Sequence, residues 1–108
     1  MTQKILFVCT ANLDRSKTAE DLVKDRPGFQ VRSGGTWEWA RRRVSAEDIE
    51  WADRIFVMED EHKEAVLRIS PEARGKIAVL DIPDVYKRGE PELVALLKKR
   101  LADQGIAI

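Results

Sequence analysis

A chain of 108 residues has room for one domain built on one modest core. Apolar content of 44% and charged content of 35% describe a soluble globular protein with a heavily charged surface, and Lys+Arg and Asp+Glu, at 19 each, give no electrostatic reason to expect nucleic acid or a membrane as a partner. The single cysteine excludes an internal disulfide framework and points to a reducing compartment, the cytoplasm.

Strand and helix signals alternate in chain order. Residues 4–9 are a strand whose continuous apolar run, Ile5 to Cys9, is the pattern of a strand covered on both faces, too short for a signal-peptide core or a membrane span. Residues 15–26 carry Ala19, Leu22 and Val23 on one helical face and stop at the helix-ending pair Pro27-Gly28. Residues 29–32 form a short second strand, Ser33-Gly34-Gly35-Thr36 a turn, and residues 37–44 a loop. Ser45 is an N-cap, with Glu47 and Asp48 in the first turn of a short helix reaching Trp51-Ala52. Residues 54–58 are a third strand. Asp60 caps the next helix, whose buried stripe is Ala65, Val66 and Ile69 and which ends before Pro71. Residues 76–80 are a fourth strand, and Asp81-Ile82-Pro83-Asp84-Val85-Tyr86 is a loop, because proline cannot join a central ladder. Residues 90–103 close the chain as a helix with Leu93, Leu96, Leu97 and Leu101 inward. The apolar tail Ile106-Ala107-Ile108 is suited to dock on the domain or on a neighbour.

This alternation predicts an α/β fold: a small doubly wound domain over residues 1–108, with a four-stranded parallel sheet and helices on both faces. Right-handed crossovers and the strand order 2-1-3-4 place a switch point beside the first strand, where such sheets bind ligands. The loop leaving that strand is Cys9-Thr10-Ala11-Asn12-Leu13-Asp14-Arg15-Ser16.

Cleavage of a phosphate ester by cysteine requires a thiolate, donors for three phosphoryl oxygens and an acid for the leaving group. The five residues between Cys9 and Arg15 can wrap one phosphate, with their N–H groups pointing inward at a helix start that favours an anion. The same donors and the Arg15 guanidinium favour the thiolate, and Arg15 can hold two oxygens at once. Ser16 can donate a hydrogen bond to the thiolate and ease its departure. Against this stands the plain alternative that Cys9 is a small buried residue ending a strand. The Cys-to-Arg spacing alone also arises by chance in an arginine-rich chain.

The run Cys-x-x-Asn-x-x-Arg-Ser after an apolar first strand resembles the low-molecular-weight protein tyrosine phosphatase family, and the whole chain resembles its group of short bacterial predicted tyrosine phosphatases. Thr18-Ala19-Glu20 opens the helix as in that family. Ser33-Gly34-Gly35-Thr36 is similar to its Ser-Ala-Gly-Thr turn, and Trp51-Ala52-Asp53-Arg54-Ile55-Phe56-Val57-Met58 to its "Ala-Asp-x-Ile-x-x-Met" strand. Asp81-Ile82-Pro83-Asp84-Val85-Tyr86 stands where the family carries Asp-Pro-Tyr. The resemblance implies a cysteine-dependent phosphatase in which Cys9 forms a phosphocysteine, Arg15 binds the phosphoryl group, Ser16 hydrogen-bonds the thiolate and Asn12 braces the loop. Thr10, Ala11, Asn12, Leu13 and Asp14 then surround the phosphate. It implies no metal or organic cofactor, and as partner a phosphorylated substrate, either a phosphotyrosine protein or a small phosphomonoester.

Asp84 aligns with the acid of Asp-Pro-Tyr and is favoured as proton donor over Asp81, which is closer to the fourth strand; either fits a turn-forming aspartate as well. Tyr86 stacks beside an aromatic substrate or anchors the loop. Asp14 stands where many family members carry a second cysteine, and a carboxylate facing into the loop would repel phosphate. Ala11 replaces a usual glycine, and Lys17 a common proline at a point where it can attract an anionic substrate. The alternative function is therefore a phosphate- or phosphopeptide-binding module with little or no turnover. A regulatory partner using the face Arg41-Arg42-Arg43 is a third. Trp37 and Trp39, with those arginines, read as a substrate wall, as a nucleic-acid contact, or as tryptophans covering a sheet edge beside solvated arginines. Trp51 is assigned to the core and His62, between Glu61 and Lys63, to the surface. One histidine and one cysteine make a zinc site an unexpected outcome.

Overall fold

The computed structural model describes residues 2–108, so residue 1 of the expected domain lies outside the described residues. The elements are β1 (Gln3–Cys9), α1 (Arg15–Val23), β2 (Phe29–Gly35), α2 (Ala46–Trp51), β3 (Arg54–Val57), α3 (Asp60–Ile69), a 3-10 segment (Pro71–Lys76), β4 (Ile77–Val79) and α4 (Pro91–Asp103). The strands form one parallel sheet in the expected order β2-β1-β3-β4.

β1 is central, and its alternation explains the continuous apolar run. Ile5, Phe7 and Cys9 face a core layer closed by Ala19 and Val23 of α1 and Leu93, Leu97 and Leu101 of α4. Leu6 and Val8 face the opposite layer, closed by Ile49 of α2 and Val66 of α3. Both faces are dry, so a polar residue at any of these positions would lose the roughly 1.5–3 kcal/mol that burial of one large apolar side chain contributes. The apolar tail docks on its own fold: Ile106 is buried in the first layer and Ile108 packs against it.

Several local readings change. β2 does not turn at Ser33 but runs on to Gly35, paired with Cys9. Its glycines serve close packing rather than a turn: a Cβ on Gly34 would sit 3.0 Å from Val44 Cα, and one on Gly35 2.5 Å from the Thr10 carbonyl oxygen. α1 stops at Val23, short of residue 26, and the chain turns through Gly28, at φ 88, into β2. In α3 the inward residues are His62, Val66 and Leu67, whereas Ile69 is exposed and Ala65 half-buried. The N-cap of this helix is Glu59, not Asp60. β4 is only three residues long because the 3-10 segment occupies the chain up to Lys76. Ser45 caps α2 as expected, in a reciprocal box with Asp48. Trp51 is half-buried rather than enclosed: it packs on the second layer beneath the Arg32 guanidinium, 4.3 Å from its ring centroid.

Candidate active site

The buried end of β1 delivers Cys9 to the carboxyl edge of the sheet, and residues 10–14 turn the chain into α1 at Arg15. Asn12 makes the turn possible with a left-handed φ of 56, which asparagine adopts more readily than most residues. The segment after β2 is stitched to the outside of this turn. Thr36 N–H donates to the Cys9 carbonyl (2.9 Å), Trp37 N–H to Thr10 (3.0 Å) and Arg41 N–H to Ala11 (2.9 Å). With these carbonyls drawn outward, the N–H groups of residues 11–14 find no acceptor among the described residues. Successive free amides in such a turn form a concave cradle for an anion.

The thiol sits in a directed hydrogen-bond chain. Ser33 Oγ donates to the Glu20 carboxylate at 2.9 Å and accepts from Asn12 Nδ2 at 3.0 Å. The other Asn12 Nδ2 hydrogen goes to Ser16 Oγ at 2.8 Å. Ser16 Oγ lies 3.0 Å from Cys9 Sγ. Because Ser16 already accepts from Asn12, its one hydrogen is free to point at the sulfur, which is the polarity a thiolate needs. Lys17, expected to attract substrate, is instead tied to Glu20 at 2.5 Å and neutralises the far end of this chain.

Arg15 is 2% exposed. Its Nη1 donates to Glu59 and, at 2.7 Å, to the Ile82 carbonyl. Both Nη1 hydrogens are thereby used, and the edge carrying Nε and Nη2 remains for a ligand. That edge faces Thr10 Oγ1, 3.4 Å from Nη2, and Asp84 Oδ1, 3.7 Å from Nε. It is the edge a planar fork uses to grip two oxygens.

His62 is buried beneath the loop, not on the surface. It occupies the third position of α3, the turn that faces β1. Its Nδ1 accepts from the Glu59 N–H at 3.0 Å, so the ring proton is on Nε2, which donates to Thr10 Oγ1 at 2.8 Å. Burial, then the nearby Arg15 charge, push the imidazole down to about 4, so it is neutral near pH 7. Thr10 accepts from His62 and its own hydrogen is left for the cleft. Glu59, Glu61 and His62 bring three ligand-type atoms within 4.8 Å of one another. Both His62 nitrogens and Glu59 are already engaged, so the cluster offers no free ligand set for a metal.

Cys9, Thr10, Ala11, Leu13, Asp14, Arg15, Trp37 and Asp84 together line a cleft of about 380 Å³, of a size that holds a small ligand. Trp37, half exposed, therefore stands at the cleft wall, while Trp39 is 73% exposed. Two residues expected in the cleft stand elsewhere. Asn12 is buried behind the loop rather than lining the cleft, while Ser16, also buried, takes its expected place beside the sulfur. Tyr86 packs against the first core layer and is absent from the cleft, so it anchors the segment instead of stacking on a ligand. Asp81 takes a left-handed φ of 54 at the bend after β4, whereas Asp84 faces Arg15. Of the three arginines, Arg42 is not a free surface cation: it donates to Asp48 at 2.7 Å and to the Ser33 carbonyl at 2.9 Å. Burial opposes ionisation of Asp48, yet the Arg42 and Ser45 hydrogen bonds and the Arg42 charge hold its carboxyl below the ordinary value.

Glu59 and His62 escaped the sequence reading. Their signal was positional: they follow the third strand, which neighbours β1, at the same sheet edge as Cys9.

A doubly wound α/β protein with a cysteine and an arginine bracketing an anion cradle at its switch point is the class defined so far. No protein-family model matches the chain. It is 30% identical over 144 residues to the protein-arginine-phosphatase of Geobacillus stearothermophilus, covering 96% of this chain and 97% of that protein. It is 31% identical over 117 residues to the low molecular weight protein-tyrosine-phosphatase Etp of Escherichia coli K12, covering 80% of this chain and 79% of the relative. The tyrosine phosphatase Wzb from Escherichia coli K30, solved in complex with phosphate, matches with a TM-score of 0.80 at 25% identity over 96% of both chains. The chain belongs to the low-molecular-weight protein-tyrosine-phosphatase family.

Proposed function

We propose that this protein, as one phosphatase domain, hydrolyses phosphomonoesters of the phosphotyrosine type through a phosphocysteine intermediate on Cys9. The observation that carries the reading is the placement of Cys9 Sγ 3.0 Å from Ser16 Oγ on the floor of a cleft that Arg15 and Asp84 also line. The phosphate sits on the free amides of residues 11–14, with two oxygens on Arg15 Nε and Nη2 and one near the Thr10 hydroxyl. The Cys9 thiolate attacks phosphorus and forms the S–P bond as the P–O bond to the leaving group breaks. Asp84 gives its proton to the departing oxygen. Water then attacks the phosphocysteine, Asp84 takes the water proton, and the S–P bond breaks to release inorganic phosphate. Ser16 hydrogen-bonds the sulfur as it regains its charge.

Named relatives include both tyrosine and arginine phosphatases. The cleft favours an aryl ester here. Leu13 and Trp37, each about half exposed, would be covered by a flat ring lying between them. No helix among the described residues is long and apolar enough to cross a membrane. A reducing compartment, as in the cytoplasm, suits a catalytic thiol.

The test is hydrolysis of p-nitrophenyl phosphate, then of phosphotyrosine and phosphoarginine peptides, by the wild type, Cys9→Ser and Asp84→Asn under reducing conditions. Loss of turnover in Cys9→Ser with preference for phosphotyrosine supports the reading. Phosphate or vanadate binding without wild-type turnover would instead make the loop a binding module.

A further inference from the structure

We propose that Asp14 is a latch that holds the acid-bearing segment over the phosphate loop, and is thereby a positioning residue for the proton donor. The inference rests on the reading of Cys9 as nucleophile and Asp84 as acid.

Asp14 occupies the N-cap position of α1, yet its side chain makes no bond to its own helix. Aspartate at this position ordinarily accepts from the helix's own first-turn amides. Here Asp14 Oδ1 accepts the backbone N–H of Arg88 at 2.9 Å. The next amide along, that of Gly89, donates to Thr18 Oγ1 at 3.0 Å, while Thr18 Oγ1 donates to the Asp14 carbonyl at 2.7 Å. The Arg88 guanidinium then grips Asp21 with two bonds, each 2.9 Å. Positions 14, 18 and 21 fall on one face of α1 and its cap, and that face holds two consecutive residues of the acid-bearing segment.

The segment needs such a hold. Residues 81–90 contain no helix or strand, and Asp84 and Val85 are exposed. Upstream of Asp84 the chain is pinned at Ile82, whose N–H donates to the Met58 carbonyl at 2.9 Å and whose carbonyl accepts from Arg15. Downstream it is pinned at Arg88 by Asp14. Adjacent residues of the phosphate loop, Asp14 and Arg15, thus fix both ends of the stretch that carries the acid. The bond turns one oxygen of the Asp14 carboxylate to the Arg88 amide, although the residue still borders the cleft.

The test compares Asp14→Ala, which removes the acceptor, with Asp14→Asn, which removes the charge but keeps Oδ1. Each is assayed on p-nitrophenyl phosphate, whose leaving group needs little protonation, and on phenyl phosphate, whose leaving group needs it. A misplaced acid costs turnover mainly on the second substrate, since displacement by about 1 Å can cost on the order of 100-fold. Asp14→Ala is expected to lower the phenyl to p-nitrophenyl rate ratio ~10- to 100-fold, and Asp14→Asn to keep the wild-type ratio. Equal losses on both substrates, or the same ratio change in both variants, would overturn the proposal. Amide hydrogen exchange supplies a readout independent of turnover: residues 84–90 should exchange faster in Asp14→Ala and as in the wild type in Asp14→Asn. Unchanged exchange in Asp14→Ala also overturns the latch. A wild type that hydrolyses neither ester overturns the catalytic reading instead, with exchange still deciding whether Asp14 holds the segment.

Discussion

Burial of His62 makes the stability of this protein depend on pH in a way that one substitution isolates. In the unfolded chain the imidazole takes its proton near its ordinary value of 6.5, and in the folded chain only at about 4. Between those values the unfolded state binds more protons, so stability falls as the pH drops from 6.5 toward 4. Fully expressed, the difference is worth about 3 kcal/mol, and about 2 kcal/mol of it is lost between pH 7 and pH 5. Carboxylates such as Asp48 and Asp21, held low by hydrogen bonds that outweigh burial or by the Arg88 bonds, also titrate, at lower pH, but they are common to both proteins in a comparison with His62→Gln. The assay is urea unfolding of wild type and His62→Gln at pH 7, 6 and 5, with equal m-values as the check on two-state behaviour. The wild type should lose about 2 kcal/mol more than the variant over that range. Parallel losses in the two proteins would refute a buried, neutral His62.

Three further outcomes follow from the site. Gly35→Ala places a Cβ 2.5 Å from the Thr10 carbonyl oxygen and 2.6 Å from Ala40 Cβ, so it should cost about 1–3 kcal/mol in thermal or urea unfolding and weaken phosphate binding. Arg15→Lys keeps the charge but loses the fork and its grip on Glu59 and the Ile82 carbonyl; kcat/KM on p-nitrophenyl phosphate should fall on the order of 100-fold or more, and a change within about threefold would contradict the geometry. Peroxide should inactivate the enzyme at Cys9, with recovery early in oxidation only on addition of external thiol, because no second cysteine is present to form a protecting disulfide.

The sheet order was legible because β1 is apolar without a break from Ile5 to Cys9 and the crossovers have one hand, which left few arrangements. The grouping of Cys9, Asn12, Arg15 and Ser16 at one turn was legible because these residues are local in sequence. What was hidden is held by contacts across long separations. Gly34 and Gly35 carry a turn signal, but their missing side chains make room for Val44 and the Thr10 carbonyl, which the local pattern does not reveal. His62 lies among charged residues, and its inward placement beneath Thr10 rests on a partner 52 positions away in the sequence. Tyr86 and Asp14 were ambiguous for a related reason. Whether each faces the cleft depends on where the irregular segment after β4 is pinned, and that is decided by Ile82 against Arg15 and Arg88 against Asp14.

The central claim is that Cys9 becomes phosphorylated during turnover. A radiolabelled aryl phosphate is mixed with enzyme and quenched within the first turnovers, and the protein is digested to locate the label. The account predicts label on the Cys9 peptide of the wild type, none on Cys9→Ser, and no hydrolysis by Cys9→Ser. Hydrolysis that survives in Cys9→Ser would contradict it.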